Sequence, residues 1–186
     1  MINNDYYDIA HNDYLYLMSS VDSPYYNNIC ACAQQVAEKL LKSVVELAVD
    51  DMPPNLLNTH NLRILYDNIK RKVPDFNLDR SKLSLLKDMY FDTRYPGDNF
   101  ITATKEDSEE CLETLYSVIG EVNRFRECNG ETVLDFSIRK IDFRSELEKV
   151  LPIRCVEECI SLTPKSMQKV SNIQEVVDLY MRMKGI

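Results

Sequence analysis

The sequence predicts a mainly α protein, an up-and-down bundle of four or five helices over residues 1–129 followed by a small, mostly helical C-terminal domain over residues 130–186. Three observations carry that expectation. Apolar residues recur at i, i+3, i+4 and i+7 through most of the first part, the spacing of one helix face. Prolines and capping residues fall between the apolar stripes and not inside them. Composition changes near Asn129: residues 1–130 hold 13 Lys/Arg against 21 Asp/Glu and ten of the eleven tyrosines, whereas residues 131–186 hold nine charges of each sign. The net charge of −8 therefore belongs to the first part, and Cys128-Asn129-Gly130 is a polar, glycine-bearing break after a long helical pattern.

The first helix is predicted from Tyr6 to Met18. Ser23-Pro24 is a good start for the second, with serine as N-cap and proline in the first turn, where its missing amide costs nothing. That helix runs through Ile29, Ala33, Val36, Ala37, Leu40, Leu41, Val44, Val45 and Ala48, and stops before Pro53-Pro54. Thr59 can cap a third helix carrying Leu62, Ile64, Leu65, Ile69 and Val73, ended by Pro74. A short helix covers Lys82 to Phe91 and is broken by Thr93-Arg94-Tyr95-Pro96-Gly97-Asp98. Thr104 caps the last long helix, with Glu106 and Asp107 favouring its positive dipole end, and the stripe continues to about Phe125.

Charge and composition narrow the function. An acidic excess of this size repels a phosphate backbone, so strong sequence-independent nucleic-acid binding by the chain as a whole is disfavoured, while a local basic cleft is not. The N-terminal MINNDYYDIAHNDYLYL is acidic and polar where a signal peptide is basic then apolar, and no stretch approaches the ~18 apolar residues of a membrane span, so a cytoplasmic protein is expected. Cys30, Cys32, Cys111, Cys128, Cys155 and Cys159 read as reduced, buried thiols. Cys30-Ala31-Cys32 is not a zinc spacing, and no other His/Cys grouping completes four ligands, so neither a metal nor a resident cofactor is expected.

The segments Cys30-Ala-Cys-Ala-Gln34-Gln35-Val-Ala-Glu38-Lys39-Leu-Leu-Lys42, Thr59-His60-Asn61-Leu62 and Arg94-Tyr95-Pro96-Gly97, in that order and with helices between them, resemble a HEPN domain (higher eukaryotes and prokaryotes nucleotide-binding) over roughly residues 5–126. The resemblance implies a bundle of four or five helices, commonly homodimeric, acting either as a ribonuclease or as the partner of a minimal nucleotidyltransferase in toxin–antitoxin and related stress or defence systems. The catalytic branch uses an Arg followed after four to six residues by a His. This chain departs from that pattern: His60 is preceded at those positions by Pro53, Pro54 and Asn55, and His11 by Asn4, Asp5 and Tyr6. No catalytic residue is assigned, because RNA cleavage of this kind leans on an imidazole for acid–base work or 2′-OH activation.

The candidate nucleotide-binding residues are Lys39, Lys42, His60, Arg94 and Tyr95, with Pro96 and Gly97 forming a structural turn. The Arg94 guanidinium beside that turn can hold a phosphate in a fork, and Tyr95 can stack on a base. The plainer reading is that Arg94 clamps a carbonyl or a carboxylate such as Glu38, with Tyr95 in the core. Lys39 and Lys42 share a helix face and could line a cationic cleft with Arg94, or form a solvated face. Gln34, Gln35 and Glu38 face the same way, for a polar interhelix network or for base recognition. His60, near a helix N-terminus, is expected as a neutral ring bonded to a neighbouring helix. Lys70-Arg71-Lys72 is expected as a C-terminal cap. Tyr6, Tyr7, Tyr25 and Tyr26 are candidates for a homodimer face, since tyrosine buries area while keeping one polar end satisfied.

In the tail, Val133 to Phe143 alternates partly, as one or two short strands or an extended segment. Helices are expected over Ser145–Leu151 and Ile153–Ile160 around Pro152. Ser171-Asn172-Ile173-Gln174-Glu175 reads as a capping-box-like start for a last helix with Val176, Val177, Leu179, Tyr180 and Met183. The stretch from Cys155 to Tyr180 is faintly similar to the last two helices of an acyl carrier protein, which would place Ser145 near the pantetheine-bearing serine. Arg144-Ser145-Glu146 stands where that family has Asp-Ser-Leu, so an interaction module is the preferred expectation.

Overall fold

A computed structural model describes residues 5–50, 53–94, 100–137, 143–162 and 173–185 of the chain. The described residues form eight α-helices and no strand. The chain divides into two compact units, Met1–Leu134 and Asp135–Ile186.

The first unit contains α1 (Tyr6–Ser20), α2 (Tyr26–Ala48), a single 3-10 turn at Leu56–Asn58, α3 (Leu62–Lys72), α4 (Arg80–Asp92) and α5 (Lys105–Cys128). α2 lies at the centre and packs against all four other helices of the unit. Its buried set extends beyond one stripe, from Ile29 through Ala33, Ala37, Leu40 and Leu41 to Val45, because it has neighbours on several sides. Phe76, fully buried in the connection between α3 and α4, fills the core with ring centroids 6.4 Å from Tyr66 and 6.1 Å from Phe125.

Several helix starts differ from expectation for local reasons. The Ser23 amide donates to the Ser20 carbonyl at 2.9 Å, which spends Ser23-Pro24 on the turn leaving α1, so α2 begins at Tyr26 with Tyr25 as an N-cap lacking a side-chain bond. α3 is capped by Asn61 and not Thr59: Asn61 Oδ1 accepts from the Arg63 and Ile64 amides, while the Thr59 hydroxyl accepts from the Asn61 amide. Asn55, at φ 65°, adopts the left-handed conformation that asparagine tolerates and launches the unanticipated 3-10 turn. α4 begins two residues earlier than expected, since Asp79 Oδ1 accepts from the Ser81 and Lys82 amides. At α5 the expected Thr104 cap is present as a full capping box with Asp107.

Residues 131–137 are irregular, not a strand. Their polar groups are taken up by side chains: the Arg126 guanidinium donates to the Thr132 carbonyl at 2.9 Å, and the Leu134 amide donates to the Tyr7 hydroxyl at 3.1 Å. These bonds explain why the first unit extends past Asn129 to Leu134. Residues 138–142 and the sequence around Ser171-Asn172 lie outside the described residues.

The second unit packs α6 (Phe143–Val150), α7 (Ile153–Leu162) and α8 (Ile173–Lys184) around Leu147, Leu151, Val156, Cys159, Val177 and Tyr180. Pro152 separates α6 from α7. The Tyr180 hydroxyl donates to Glu158 at 3.1 Å, and Lys184 pairs with the same carboxylate. Among the described residues no helix is long and apolar enough to cross a membrane.

Candidate functional site

Two polar features converge on α2. The first is internal. Gln34, Glu38 and Lys42 succeed one another at four-residue intervals on one face of the helix, and all three are buried. Lys42 Nζ donates to Glu38 Oε1 at 2.7 Å, Gln34 Nε2 donates to Glu38 Oε2 at 3.0 Å and to the His60 carbonyl at 3.3 Å, and His60 Nδ1 lies 3.1 Å from both Glu38 oxygens. The ammonium of Lys42 also sits 5.5 Å from the Tyr6 ring centroid. Burial pushes the Glu38 carboxyl up, but the hydrogen bonds from Lys42 and Gln34, the Lys42 charge and the His60 bond outweigh it and hold the group below the usual glutamate range. Gln34 Oε1 is buried without a hydrogen-bond partner.

This line corrects several expectations. Lys42 is no cleft residue, since its charge is consumed inside the bundle. Glu38 is satisfied by Lys42, Gln34 and His60, so Arg94 does not clamp it. His60 does bond a neighbouring helix, although its side chain remains 60% exposed. Gln35 does not share the direction of Gln34 and Glu38: one residue further on, about 100° around the helix, it is half-buried on the wall of a cleft.

That cleft is the second feature. It encloses about 590 Å³ between the end of α1, the first half of α2 and the residues following α4, and its lining includes Tyr16, Tyr25, Asn28, Cys32, Gln35 and Arg94. Tyr16 and Tyr25, which line it, are about two-thirds exposed. The Arg94 guanidinium donates to the Tyr90 hydroxyl at 3.1 Å and lies 5.4 Å from that ring's centroid, leaving most of its fork to solvent. Lys39 is ion-paired with Asp13 on α1. Burial raises the Cys32 thiol, the Asp13 charge adds to the effect, and the charges of Arg94 and Lys39 oppose it, a balance that works against the thiolate.

Asn27, a residue that sequence reasoning missed, fixes the cleft's far wall. Its Nδ2 donates to the Thr93 carbonyl at 2.9 Å and to the Ile101 carbonyl at 3.2 Å, and its Oδ1 accepts from the Ala103 amide at 2.7 Å. The Ile101 amide also donates to the Asp92 carbonyl at 2.7 Å, so both ends of the connection carrying Arg94 are held to the first turn of α2. The signal available was the adjacent pair Asn27-Asn28 at a helix start, where asparagine side chains usually take backbone groups. Tyr95, Pro96 and Gly97 lie outside the described residues.

The tyrosines separate. Tyr7 is buried, its hydroxyl donating to Asn123 Oδ1 at 2.8 Å and its ring 3.8 Å from the Arg126 guanidinium carbon, so it belongs to the core and offers no face to a partner. Tyr6 and Tyr26 are half-buried, and Tyr25 is exposed. Of the thiols expected to be buried, Cys128 is exposed, and Cys32 and Cys155 are intermediate; all six are free. Lys70, Arg71 and Lys72 occupy the last turn of α3. Among the described residues, no group of three or more His, Cys, Asp or Glu side chains could hold a metal ion.

The arrangement defines a class: an all-helical bundle whose central helix carries a buried Gln-Glu-Lys line and borders an arginine-bearing cleft. The chain matches the HEPN domain family over residues 4–125, and it belongs to that family. Membership points to a nucleotide-binding or ribonuclease-like regulatory role, in a domain type that often dimerises. Comparison with curated proteins and with solved structures finds no match.

Proposed function

We propose that this is a non-catalytic HEPN domain that binds a nucleotide in the Arg94 cleft and acts as a regulatory partner, with a nucleotidyltransferase of a toxin–antitoxin-like system as the protein it serves. The observation that carries the reading is the cleft's composition. A guanidinium with no ion pair among the described residues suits a phosphate, Asn28 and Gln35 offer amides to a base edge, and the exposed Tyr16 and Tyr25 offer rings for stacking. No histidine lines this cleft among the described residues, which favours binding over acid–base cleavage; His60 instead serves Glu38. The homodimer contact is placed at Tyr25 and Phe100, both exposed and lining one shallow hollow beside the first turn of α2. The C-terminal unit serves as an interaction module.

The test is thermal unfolding with ATP, GTP, AMP, NAD and short RNA, comparing the native chain with Arg94→Ala. A ligand at ~100 times its dissociation constant stabilises by about 2.7 kcal/mol, a shift of roughly 5–11 °C for a chain of this size. A shift with one of these ligands that disappears in Arg94→Ala is the expected result. Absence of any shift overturns nucleotide binding, and metal-independent cleavage of an RNA pool that Arg94→Ala abolishes would replace it with a ribonuclease. Light scattering at micromolar concentration should give twice the chain mass, and a monomer mass removes the dimer.

A further inference from the structure

A third polar feature lies away from the Arg94 cleft. Between α3 and the first turns of α4 a cleft of about 370 Å³ is lined by Arg63, Arg80, Ser81 and Ser84, none of which lines the cleft at Arg94. Arg63 Nη1 reaches the Ser84 hydroxyl only at 3.5 Å, the outer limit of a hydrogen bond, and Arg63 makes no ion pair with a described residue. Arg80 grips Asp67 in a two-pronged bond, Nε to Oδ1 at 3.0 Å and Nη2 to Oδ2 at 2.9 Å. The Asp67 carboxyl is held below the usual aspartate range by the bond from Arg80, against some burial, with the charges of Arg80, Arg63 and Arg71 adding. Asp67 is thus matched by Arg80, and the neighbouring Arg63 guanidinium is left without an ion pair among the described residues. The opposing charge at this end is Asp79, whose carboxylate caps α4 by accepting the Ser81 and Lys82 amides. Those amides are therefore not on offer, and the site rests on side chains.

The excess is local and runs against the whole molecule. From the start of α3 to the end of α4, residues 62–92 carry seven Lys or Arg against five Asp, in a chain of net charge −8. A guanidinium fork without a carboxylate partner beside two hydroxyls matches the several acceptor oxygens of a tetrahedral dianion better than a flat carboxylate, which one fork alone satisfies. We propose that the Arg63–Arg80–Ser81–Ser84 cleft is a second ligand site, independent of the Arg94 cleft, and that it binds a phosphate group. The group is supplied either as free phosphate or as the monoester end of a small phosphorylated metabolite.

The experiment is a titration of the isotopically labelled full chain, followed by amide and arginine side-chain NMR, with inorganic phosphate, AMP and adenosine. Native protein is compared with Arg63→Gln and Arg94→Ala. Saturable shifts at Ser81, Ser84 and the Arg63 side chain with phosphate are expected; they should weaken roughly 10- to 100-fold in Arg63→Gln, whose loss is that of one charge-assisted hydrogen bond, and persist in Arg94→Ala. Tighter binding of AMP than of phosphate, with adenosine silent at these residues, identifies a monoester as the ligand, and equal binding identifies phosphate itself. The proposal is overturned if tens of millimolar phosphate moves none of these resonances, or if Arg63→Gln, its spectrum otherwise unchanged, binds as the native chain does.

Discussion

Glu38 joins two demands that conflict in water-poor surroundings, a full charge and burial, and it tolerates them because three side chains donate to it. Removing one member of such a buried pair leaves the other without compensation, so Lys42→Met and Glu38→Gln should each lose about 3–5 kcal/mol in urea unfolding. The double variant Glu38→Leu/Lys42→Met should lose less than the two single costs together, because no orphaned charge remains. The same group sets a pH dependence. Its carboxyl is depressed in the folded state, so the stabilisation is complete above the ordinary glutamate range and is lost as pH falls through that range and below it. The melting temperature should therefore fall on acidification, and the fall should be shallower in Glu38→Gln; an identical slope in both proteins would show that Glu38 contributes nothing to it. At this scale the sequence was half legible. Four-residue spacing of Gln34, Glu38 and Lys42 marks one face, but whether that face meets water or the core depends on the segment leading into α3 and on α1, which bring His60 and Tyr6 to it from other parts of the chain. Gln35 shows the same limit, because a step of about 100° separates a buried network from a cleft wall.

Among the helices, stripes located the elements well, and their ends less well. An apolar stripe is a property of many residues, whereas a start is decided by one competition for backbone amides, which Asn61 wins over Thr59 and the Ser20–Ser23 turn wins over Pro24. Asn27 is the element-scale feature with the largest consequence, as it joins α2 to both Thr93 and Ile101. Asn27→Ala removes three bonds and leaves backbone groups unpaired, at an expected cost of about 1–3 kcal/mol. It should also diminish the ligand-induced thermal shift, because Arg94 follows directly on the tethered Thr93. Thr104→Ala provides the contrast: loss of the α5 cap should cost ~1 kcal/mol and leave the ligand-induced shift intact. Equal shifts in the two variants would remove Asn27 from any part in positioning Arg94.

For the whole molecule, the charge discontinuity in the sequence indicated two parts, and the compact units divide a few residues later, after Leu134, because Arg126 and Tyr7 hold the intervening backbone. The two units differ in the core they can build. The bundle draws on five helices, whereas the 135–186 unit rests on Leu147, Leu151, Val156, Cys159, Val177 and Tyr180. A segment of that size buries a smaller fraction of its surface and so has less to set against chain entropy. The free thiols provide a separate probe of each unit. Cys30 and Cys111 are fully buried in the bundle, Cys159 is fully buried in the smaller core, and Cys128 is exposed in the native state. With a thiol reagent, Cys128 should react at once in buffer, Cys159 should become reactive at low urea, and Cys30 and Cys111 should follow together at a higher concentration as the bundle opens. Mass spectrometry of the labelled peptides assigns each event. If Cys159 and Cys30 become reactive over one common transition, the units unfold as a single cooperative body, and the smaller core is stabilised by more than its own apolar contacts.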